Sequence, residues 1–475
     1  MEMVRSAERQ QNMVTDDFFM TDQKKTAAVV TLGCRLNQAD TALLGNRLTK
    51  SGFRLISLRK DREAPDLILV NSCAVTAVAV KKTRHALKSL REAYPDSFII
   101  LTGCAASVDH KEFDKCNDFD LLLHNEDKKE IRHILASCME NGKWNRKAVS
   151  GRKNAEKEPL EYPGNRIFFE KESASFPFHT RGILKIQEGC ENFCTYCIVP
   201  YARGPERSRD LQETLDDSRQ MVDAGIKEIV LSGVNICNYR YNTLNLIGLI
   251  EKLLGIPGDF RIRLSSTEPG PVLPDLIRCM KEADGRICHF LHLPLQNGSD
   301  KTLKAMGRHC FTGEYADYVA MARELIPHIH IGSDLIVGFP GESQEDFEES
   351  CAFLQKTAFS NLHVFPYSPR EGTPAASMPG RVTGIELERR LQSVNSLKKK
   401  MVAGYWQSLK GSSEKVLPEK RLADGSWEGW TGNYVRCKVI LSEHVQHDLI
   451  PVRLLKFDES GVFTAEADFN PESLE

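Results

Sequence analysis

Cys190, Cys194 and Cys197 stand in the run Gly189-Cys-Glu-Asn-Phe-Cys-Thr-Tyr-Cys-Ile198, three thiols spaced C-x3-C-x2-C. Three thiolates hold three corners of a [4Fe-4S] cube and leave the fourth iron open to a small molecule. Reductive cleavage of S-adenosylmethionine (SAM) requires such an open corner. The free iron chelates the amino and carboxylate groups of SAM, and an electron from the cluster breaks the sulfonium. The competing readings are a zinc site, which would want a fourth protein ligand nearby, and chance spacing among 14 cysteines. The flanking Arg203-Gly-Pro-Glu-Arg-Ser-Arg209 weighs against both.

Three more cysteines belong together for a structural reason. Cys34 follows Ala-Ala-Val-Val-Thr-Leu-Gly, Cys73 follows Leu-Ile-Leu-Val-Asn-Ser, and Cys104 follows Phe-Ile-Ile-Leu-Thr-Gly. Each is expected just past the C-terminal end of a strand, and in a doubly wound sheet those ends meet at the crevice where ligands bind. Residues far apart in sequence are thereby brought into one cluster. Three thiolates again imply a cube with one uncommitted iron, here available to an exogenous sulfur species. Ordinary structural cysteines after strands are the alternative. The other eight, Cys116, Cys138, Cys237, Cys279, Cys288, Cys310, Cys351 and Cys437, form no obvious set and read as small buried hydrophobes.

The elements that must position these thiols follow from length and pattern. A chain of 475 residues with 41% hydrophobic content predicts roughly three domains. No apolar run approaches the roughly 18 residues that span a bilayer, and the polar first 25 residues lack a signal-peptide core. The expected compartment is the cytoplasm, where cysteines serve as ligands and free thiols more often than as disulfides. A formal net charge of -2 supplies no global attraction to nucleic acid. Local basic stretches remain: residues 143–185 carry ten Lys or Arg against five acids, and residues 381–410 carry seven against two.

Residues 1–25 read as a disordered tail, with Met20 a possible alternative start. From Thr26 short apolar runs alternate with helical stretches, the βαβ rhythm of a parallel doubly wound sheet. Strand 27–32 precedes a helix over 40–51, strand 67–70 a helix over 79–93, and strand 98–101 a loop. The charged stretch from about Gly142 to Pro177 reads as a linker. A second alternation follows, with strands expected at 182–187, 228–232, 261–265, 290–295, 330–337 and 361–365. That count suits a partial parallel barrel with its site at the C-terminal strand ends. A helix then carries Leu387, Leu391, Val394, Leu397, Met401 and Tyr405 on one face. Its Arg389, Arg390 and Lys398 to Lys400 are expected mainly on the outer face. From about Ser412 the chain reads as a small β domain.

With these motifs in view the chain resembles the radical-SAM methylthiotransferases from Ala27 to the C-terminus. The matching motifs are Leu32-Gly-Cys-Arg-Leu-Asn-Gln38, Asn71-Ser-Cys-Ala-Val-Thr76, Thr102-Gly-Cys-Ala105, the Cys190 triplet, Thr267-Glu-Pro269, His292-Leu-Pro-Leu-Gln-Asn-Gly-Ser299, Asp334-Leu-Ile-Val-Gly-Phe-Pro-Gly-Glu342 and Phe365-Pro-Tyr-Ser-Pro369. The resemblance implies an α/β architecture of three parts: a flavodoxin-like N-terminal domain (26–141), a radical-SAM partial barrel with its connecting helix (178–411), and a small TRAM-like β-barrel (412–475). It implies two [4Fe-4S] clusters, an auxiliary one on Cys34, Cys73 and Cys104 and a SAM-cleaving one on Cys190, Cys194 and Cys197. One SAM then supplies a methyl group to sulfur and a second yields a 5'-deoxyadenosyl radical. An adenine C2–H has no acidic proton, so acid-base groups alone would not suffice.

For SAM contacts, Tyr196 is placed to pack on adenine. Ser232, Gly233 and Asn235 end a strand where backbone must approach the amino-acid portion closely. Glu268 and Gln296 end later strands and suit ribose or carboxylate groups. His289 and His292 lie on an apolar strand and read as core histidines. Gly338 and Gly341 read as turn glycines, since no Lys-Ser or Lys-Thr follows to make a phosphate loop. In the C-terminal domain Trp430 and Tyr434 are candidates to stack on bases. That domain carries seven Lys or Arg against twelve acids, so RNA contact there would need a local patch of Arg436, Lys438, Arg453 and Lys456.

Members of this family modify a tRNA adenosine beside the anticodon, bearing a threonylcarbamoyl or an isopentenyl group, or an aspartate of a ribosomal protein. Gly33-Cys-Arg-Leu-Asn-Gln38 with Asn71-Ser-Cys-Ala-Val-Thr76 looks most like the threonylcarbamoyl branch. The expected partners are tRNA, a low-potential electron donor and a sulfur donor, with no membrane. The isopentenyl branch is the runner-up. A non-catalytic iron-sulfur RNA binder or redox sensor is the reading from a different class.

Overall fold

The computed structural model describes residues 25–61, 63–113, 116–140, 143–144, 166–170, 180–441 and 448–468. The expected tail lies outside these but for Lys25, as does most of the expected linker. The described residues divide into two compact units, one up to Ala74 and from Val78 to Trp144, the other comprising Val75–Ala77 and everything from Arg166 on.

The first unit is a parallel sheet of β1 (Thr26–Thr31), β2 (Arg54–Leu55), β3 (Leu67–Ser72), β4 (Phe98–Gly103) and β5 (Leu121–Leu122). Its order is β2-β1-β3-β4-β5, that of a flavodoxin-like sheet. Every residue of β3 and β4 is buried, the near-continuous apolar signature of strands covered on both faces. The helix Arg35–Lys50 starts directly after Cys34, five residues before the expected start. Gly33, at φ +100°, turns the chain sharply enough for the helix to begin at once. Arg35 to Gln38 is therefore a first helical turn and not a loop. The loop expected after β4 likewise opens with the helix Cys104–Val108. The domain also runs past its expected end at 141. Hairpin β6 (Met139–Glu140) and β7 (Lys143–Trp144) lays Trp144 on Phe98, with ring centroids 4.3 Å apart and planes 13° from parallel.

In the second unit the expected linker contains β8 (Ile167–Phe168). It pairs in parallel with β11 (Arg207–Arg209), which is antiparallel to β10 (Gln187–Glu188). The main strands are β9 (Gly182–Lys185), β12 (Glu228–Ser232), β15 (Arg261–Leu264), β16 (Phe290–His292), β17 (His330–Val337) and β18 (Asn361–Pro366), with a small hairpin of β13 (Arg240–Tyr241) and β14 (Leu244–Asn245). They form two three-stranded parallel sheets joined by bridges Ile262 to Ile287 and Ser266 to His292. Six strands thus lie side by side in chain order, an open half-barrel covered outside by helices such as Leu211–Asp223, Leu273–Glu282 and Thr312–Leu325. All six begin at the expected residues, with β9 ending two and β16 three residues earlier than expected.

The connecting helix runs Gly384–Ser408. Val394 is buried as expected, but Arg390, expected outside, is only 4% exposed. Its guanidinium donates to the buried Glu342 carboxylate at 3.0 Å, which also accepts from the Gly338 N–H and from Asn297. An inward arginine needs such a partner. Lys398 is half-buried, while Lys399 and Lys400 are exposed. Gly338 and Gly341 both take positive φ in the turn after β17, as expected.

The chain ends in a closed barrel of β19 (Ser413–Arg421), β20 (Trp427–Thr431), β21 (Arg436–Val439), β22 (Ile450–Phe457) and β23 (Phe463–Ala467). It meets the half-barrel at the N-terminal ends of the strands. There Arg181, Arg261 and Arg263 converge on the fully buried Glu228. Burial pushes that carboxyl up, but the guanidiniums of Arg263, Arg261 and Arg181 outweigh it and hold the group far below the ordinary range. Arg261 donates to the carbonyls of Lys415 (2.7 Å) and Trp430 (3.0 Å), and Arg263 to those of Thr431 (2.9 Å) and Gly432 (3.1 Å). Tyr434 is held in this junction, 5.0 Å from the Arg263 guanidinium and 4.8 Å from the Phe290 ring, with Trp430 stacked at 4.6 Å. Tyr434 therefore packs against protein on these sides while staying partly exposed. Most of the eight ungrouped cysteines are buried as expected, but Cys116 and Cys351 are partly exposed.

Candidate cluster and cofactor sites

The Cys190 loop hangs from the C-terminal end of the half-barrel by backbone bonds at both flanks. Cys190 N–H donates to the Gly204 carbonyl at 3.1 Å, Thr195 N–H to Met306 at 2.9 Å, and Ala375 N–H to the Thr195 carbonyl at 2.9 Å. Gly189, at φ +76°, lies where an added Cβ would stand 1.9 Å from the Pro205 carbonyl oxygen, so no other residue fits. Phe193 also takes a positive φ of 45°, an uncommon conformation that folds the three thiols into one short loop. Cys194 is buried, and Cys190 and Cys197 are partly so. Burial pushes the Cys190 thiol up to about 11 and the Cys197 thiol up to about 12.

Bare protein therefore holds these as thiols, and ligation to iron must release their protons. One cation already faces the sulfur. Arg308 Nη1 lies 3.7 Å from Cys194 Sγ, and its guanidinium is ion-paired with Glu268. Burial pushes the Glu268 carboxyl up, and Arg308 opposes the shift. A buried guanidinium against a thiolate suits a cluster of net negative charge. Sequence reading missed Arg308, for it follows a helix 114 residues beyond Cys194 and no local motif marks it.

Around this loop the expected SAM contacts gather at strand ends. Ser232 Oγ, ending β12, is buried without a hydrogen-bond partner, the kind of orphan an incoming polar group satisfies. Gly233 leaves no room for a side chain, since an added Cβ would meet Ile236 at 2.9 Å and Gln187 at 3.0 Å. Gln187 Oε1 accepts from the N–H groups of Val234 and Asn235, both at 2.9 Å. Asn235 spends its side-chain oxygen capping the following turn, accepting from Cys237 N–H at 3.2 Å. Gln296 takes φ +77°, a strained setting held by its backbone bonds to Asp334 and Ile336. Tyr196 packs its ring against a cluster of Met306, Phe339, Tyr367 and Ala375.

In the first unit, parallel register explains the other thiols. Thr31 pairs with Asn71, and Ser72 with Gly103, so the chain leaves three adjacent strands at one level. Cys73 and Cys104 follow their strands directly and Cys34 stands three residues past β1, at the switch point between β1 and β3 and beside it. Gly33 and Cys73 touch so closely that a Cβ on Gly33 would stand 2.7 Å from Cys73 Sγ. Cys34 is exposed while Cys73 and Cys104 are buried, a set open on one side. Beneath it Asn37 donates to the carbonyls of Leu32 and Ser72, both at 2.8 Å, and Asn71 donates to the Asn37 carbonyl at 2.9 Å. Lys128 adds bonds to Asp40 (2.9 Å) and Asn71 Oδ1 (3.1 Å). The asparagines of the two motifs thus tie the cysteine loops together.

Among the described residues the only three metal-binding donor atoms all within 4.8 Å of one another belong to His292, Asp334 and His363. Neither cysteine triplet has the tight spacing of a single zinc ion, whose ligands stand about 2.3 Å from it. His292 is mostly buried and satisfied, its Nε2 3.1 Å from Asp334 Oδ2.

The chain matches the Radical SAM superfamily over residues 184–354 and the Uncharacterized protein family UPF0004 over residues 26–124. Each match encloses one cysteine triplet. Over 441 residues the chain is 33% identical to the threonylcarbamoyladenosine tRNA methylthiotransferase MtaB of Bacillus subtilis (strain 168), covering 91% of this chain and 94% of the relative. The chain belongs to the radical-SAM methylthiotransferase family. The tRNA-2-methylthio-N(6)-dimethylallyladenosine synthase of Jannaschia sp. (strain CCS1) is also 33% identical, over 404 residues, with 83% of this chain and 84% of that one covered. Among solved structures, the radical S-adenosylmethionine methyltransferase TsrM from Kitasatospora setae superposes with a TM-score of 0.53 at 13% identity, covering 74% of this chain and 77% of that one. That likeness is one of fold. As a radical-SAM methylthiotransferase the enzyme takes SAM and a [4Fe-4S] cluster. No helix among the described residues is long and apolar enough to cross a membrane.

Proposed function

We propose that this methylthiotransferase adds a methylthio group to C2 of N6-threonylcarbamoyladenosine beside the anticodon of tRNA. What carries the reading is the pairing of two three-cysteine sets, each at the C-terminal strand ends of its own α/β sheet, in a chain 33% identical to a relative named for that activity. Cys190, Cys194 and Cys197 hold the SAM-cleaving cluster, and Cys34, Cys73 and Cys104 an auxiliary cluster that presents sulfur. When bound, SAM and its cluster supply a hydrogen-abstracting radical and a methyl donor.

The chain's own residues orient and insulate that chemistry. Arg308 faces the sulfur at Cys194 and pairs with Glu268, whose carboxylate oxygens are placed to accept hydrogen bonds from a ribose or an ammonium group. Ser232 and Gln296 supply further polar contacts, the Gly233 backbone admits the amino-acid portion of SAM, and Tyr196 walls the adenine side. A low-potential electron donor and a sulfur donor complete the reaction, which belongs in the cytoplasm with tRNA. Arg35, in the first helical turn after Cys34, suits the carboxylate of a threonylcarbamoyl group. The second reading, the same chemistry on isopentenyladenosine, has the dimethylallyladenosine synthase relative in its favour.

Nucleoside mass spectrometry of tRNA from a strain lacking this protein separates the two. Loss of 2-methylthio-threonylcarbamoyladenosine is expected, with the unmethylthiolated nucleoside accumulating. Loss of the isopentenyl derivative instead would replace the first reading by the second.

A further inference from the structure

The connecting helix Gly384–Ser408 carries its charge in two different ways. In its first turns Glu386 pairs with Arg389 and with Arg390, both at 2.8 Å, the balanced pattern of a solvated helix. From Leu391 to Lys410 the chain has four lysines and no acid. Lys399 and Lys400 are exposed and Lys398 is half-buried. Among the described residues no carboxylate pairs with any of these three. The residues one turn away from Lys399 and Lys400 are Asn395, Ser396, Leu397, Val402, Ala403 and Gly404, so the helix itself supplies no counter-charge. Its dipole does not account for the lysines either. That field favours cations within the last turn, and the last turn of this helix holds no basic residue.

The lysines belong to a continuous outer stripe. Gln392, Ser396, Lys399, Lys400, Ala403 and Gln407 are all exposed and recur at helical spacing, and Gln392 to Gln407 spans about 22 Å. The rest of the helix is committed to protein. Val394 is buried, the Tyr405 hydroxyl donates to the His328 carbonyl at 3.1 Å, and the Trp406 and Phe457 rings meet at 5.6 Å. The stripe is cationic and free of bulky apolar side chains. A helix that lies on a membrane would carry Trp, Phe or Leu opposite its cations and bury them in lipid, whereas here the apolar side is already covered. A protein partner would find no aromatic or aliphatic anchor.

The small barrel offers less. Of the four residues expected to form a basic patch there, Arg436 pairs with Glu428 at 3.8 Å and Arg453 with Asp468 at 3.9 Å. Lys438 lies within electrostatic reach of Asp424 and Asp458. Counterion release draws a polyanion to positive charge that the protein has not already answered. That charge stands on the helix. Its place in the fold also matters. A Cβ on Gly338, in the turn after β17, would stand 2.8 Å from Leu387 Cδ1, so the helix begins at the end of the half-barrel that carries the Cys190 loop. Lys399 lies about 18 Å further along the axis, towards His328 and the start of β17.

We propose that Lys399 and Lys400, with Lys398 beside them, bind the ribose-phosphate backbone of the tRNA at a distance from the reacting adenosine. The inference rests on the tRNA reading above and gives that substrate an anchoring surface outside the two cluster sites. Contacts of this kind position an RNA and do not read its bases. The three lysines take no part in SAM cleavage.

The test uses reconstituted holoenzyme and full-length tRNA from a strain lacking this protein. Dissociation constants are measured across a salt series for wild type, a variant with Lys398→Gln, Lys399→Gln and Lys400→Gln, and a variant with Lys→Arg at the same three positions. Iron content and SAM binding report an intact fold. Removal of two to three phosphate contacts predicts roughly tenfold weaker binding and a plot of log affinity against log salt that is shallower by about two to three. KM is expected to rise with kcat little changed, and the loss should be equal for tRNA with and without the threonylcarbamoyl group. The Lys→Arg variant keeps the charge and should keep both affinity and slope. If the triple Gln variant does not fold, Lys399→Gln and Lys400→Gln are each expected to lower the slope by about one. Unchanged affinity and slope overturn the inference and leave the function standing, as does a loss confined to tRNA bearing the modification. A wild-type enzyme that neither binds nor modifies tRNA overturns both. Binding of wild type to phosphatidylglycerol vesicles, lost in the Gln variant while tRNA affinity stands, would assign the stripe to a lipid surface and overturn the RNA role.

Discussion

The two cysteine sets reach the same donor composition by opposite routes. Cys190, Cys194 and Cys197 share one eight-residue loop whose geometry is local, enforced by Gly189, Phe193 and a few backbone bonds. Cys34, Cys73 and Cys104 come from three loops and meet only because β1, β3 and β4 are neighbours in register. Their surroundings differ as well. The barrel set faces a guanidinium and a carboxylate, whereas the sheet set rests on asparagine amides and a buried lysine. A local loop keeps its ligands together when its domain loosens, and a distributed set scatters. The sheet set is also half-open, with Cys34 exposed, which suits a site that must admit an external sulfur species.

The sharpest way to break this comparison is to remove each set in turn. Anaerobically reconstituted protein is expected to hold about eight irons, two cubes of four. Replacing Cys34, Cys73 and Cys104 by Ala should halve the iron and abolish methylthio product while SAM cleavage continues. Replacing Cys190, Cys194 and Cys197 should halve the iron and reduce SAM cleavage to background. Complete loss of SAM cleavage in a folded variant of the first kind would show that the two sites do not divide the labour.

The supporting charges give the next largest effect. Arg308→Met removes the guanidinium paired with Glu268, and Lys128→Met removes the ammonium paired with Asp40, itself 3% exposed. Breaking a buried pair by removing one member costs about 3 kcal/mol, read as a lowered denaturant midpoint. The consequences should diverge. Arg308→Met is expected to weaken SAM binding and Lys128→Met to weaken retention of the N-terminal iron, each sparing the other property. If both variants lost both properties equally, the two sites would be one energetic unit.

Legibility followed the range of the interactions. The half-barrel strands could be read from short apolar runs between helix-length intervals, and the Cys190 loop from spacing alone. The Cys34 set was legible one step further, through the rule that parallel strand ends converge. Beyond that, tertiary partners decided. Arg390 looked like a solvated charge until Glu342 was seen opposite it, and nothing local to Tyr434 announced Arg263 and Phe290 beside it. His292 on an apolar strand gave no hint of Asp334, 42 residues on, because only the β16 to β17 register brings them together.

The smallest effect concerns two acids at the junction of half-barrel and small barrel. Glu228 has three guanidiniums and stays ionised, whereas Glu414, which accepts from Asn433 at 2.7 Å, has only Arg261 to offset its burial. Burial pushes the Glu414 carboxyl up to about 7 from 4.5. A group whose folded value is raised binds more protons folded than unfolded. Its contribution is therefore complete below the unfolded value and is lost as pH rises through about 7. Stability of this part of the molecule is expected to fall between pH 5 and pH 8 by something on the order of 2 kcal/mol. Glu414→Gln keeps the oxygen that Asn433 donates to and removes the titration, so its unfolding midpoint should vary less across that range. Equal pH dependence in wild type and variant would mean that Glu414 is as well compensated as Glu228, and that the contrast between the two acids is one of position alone.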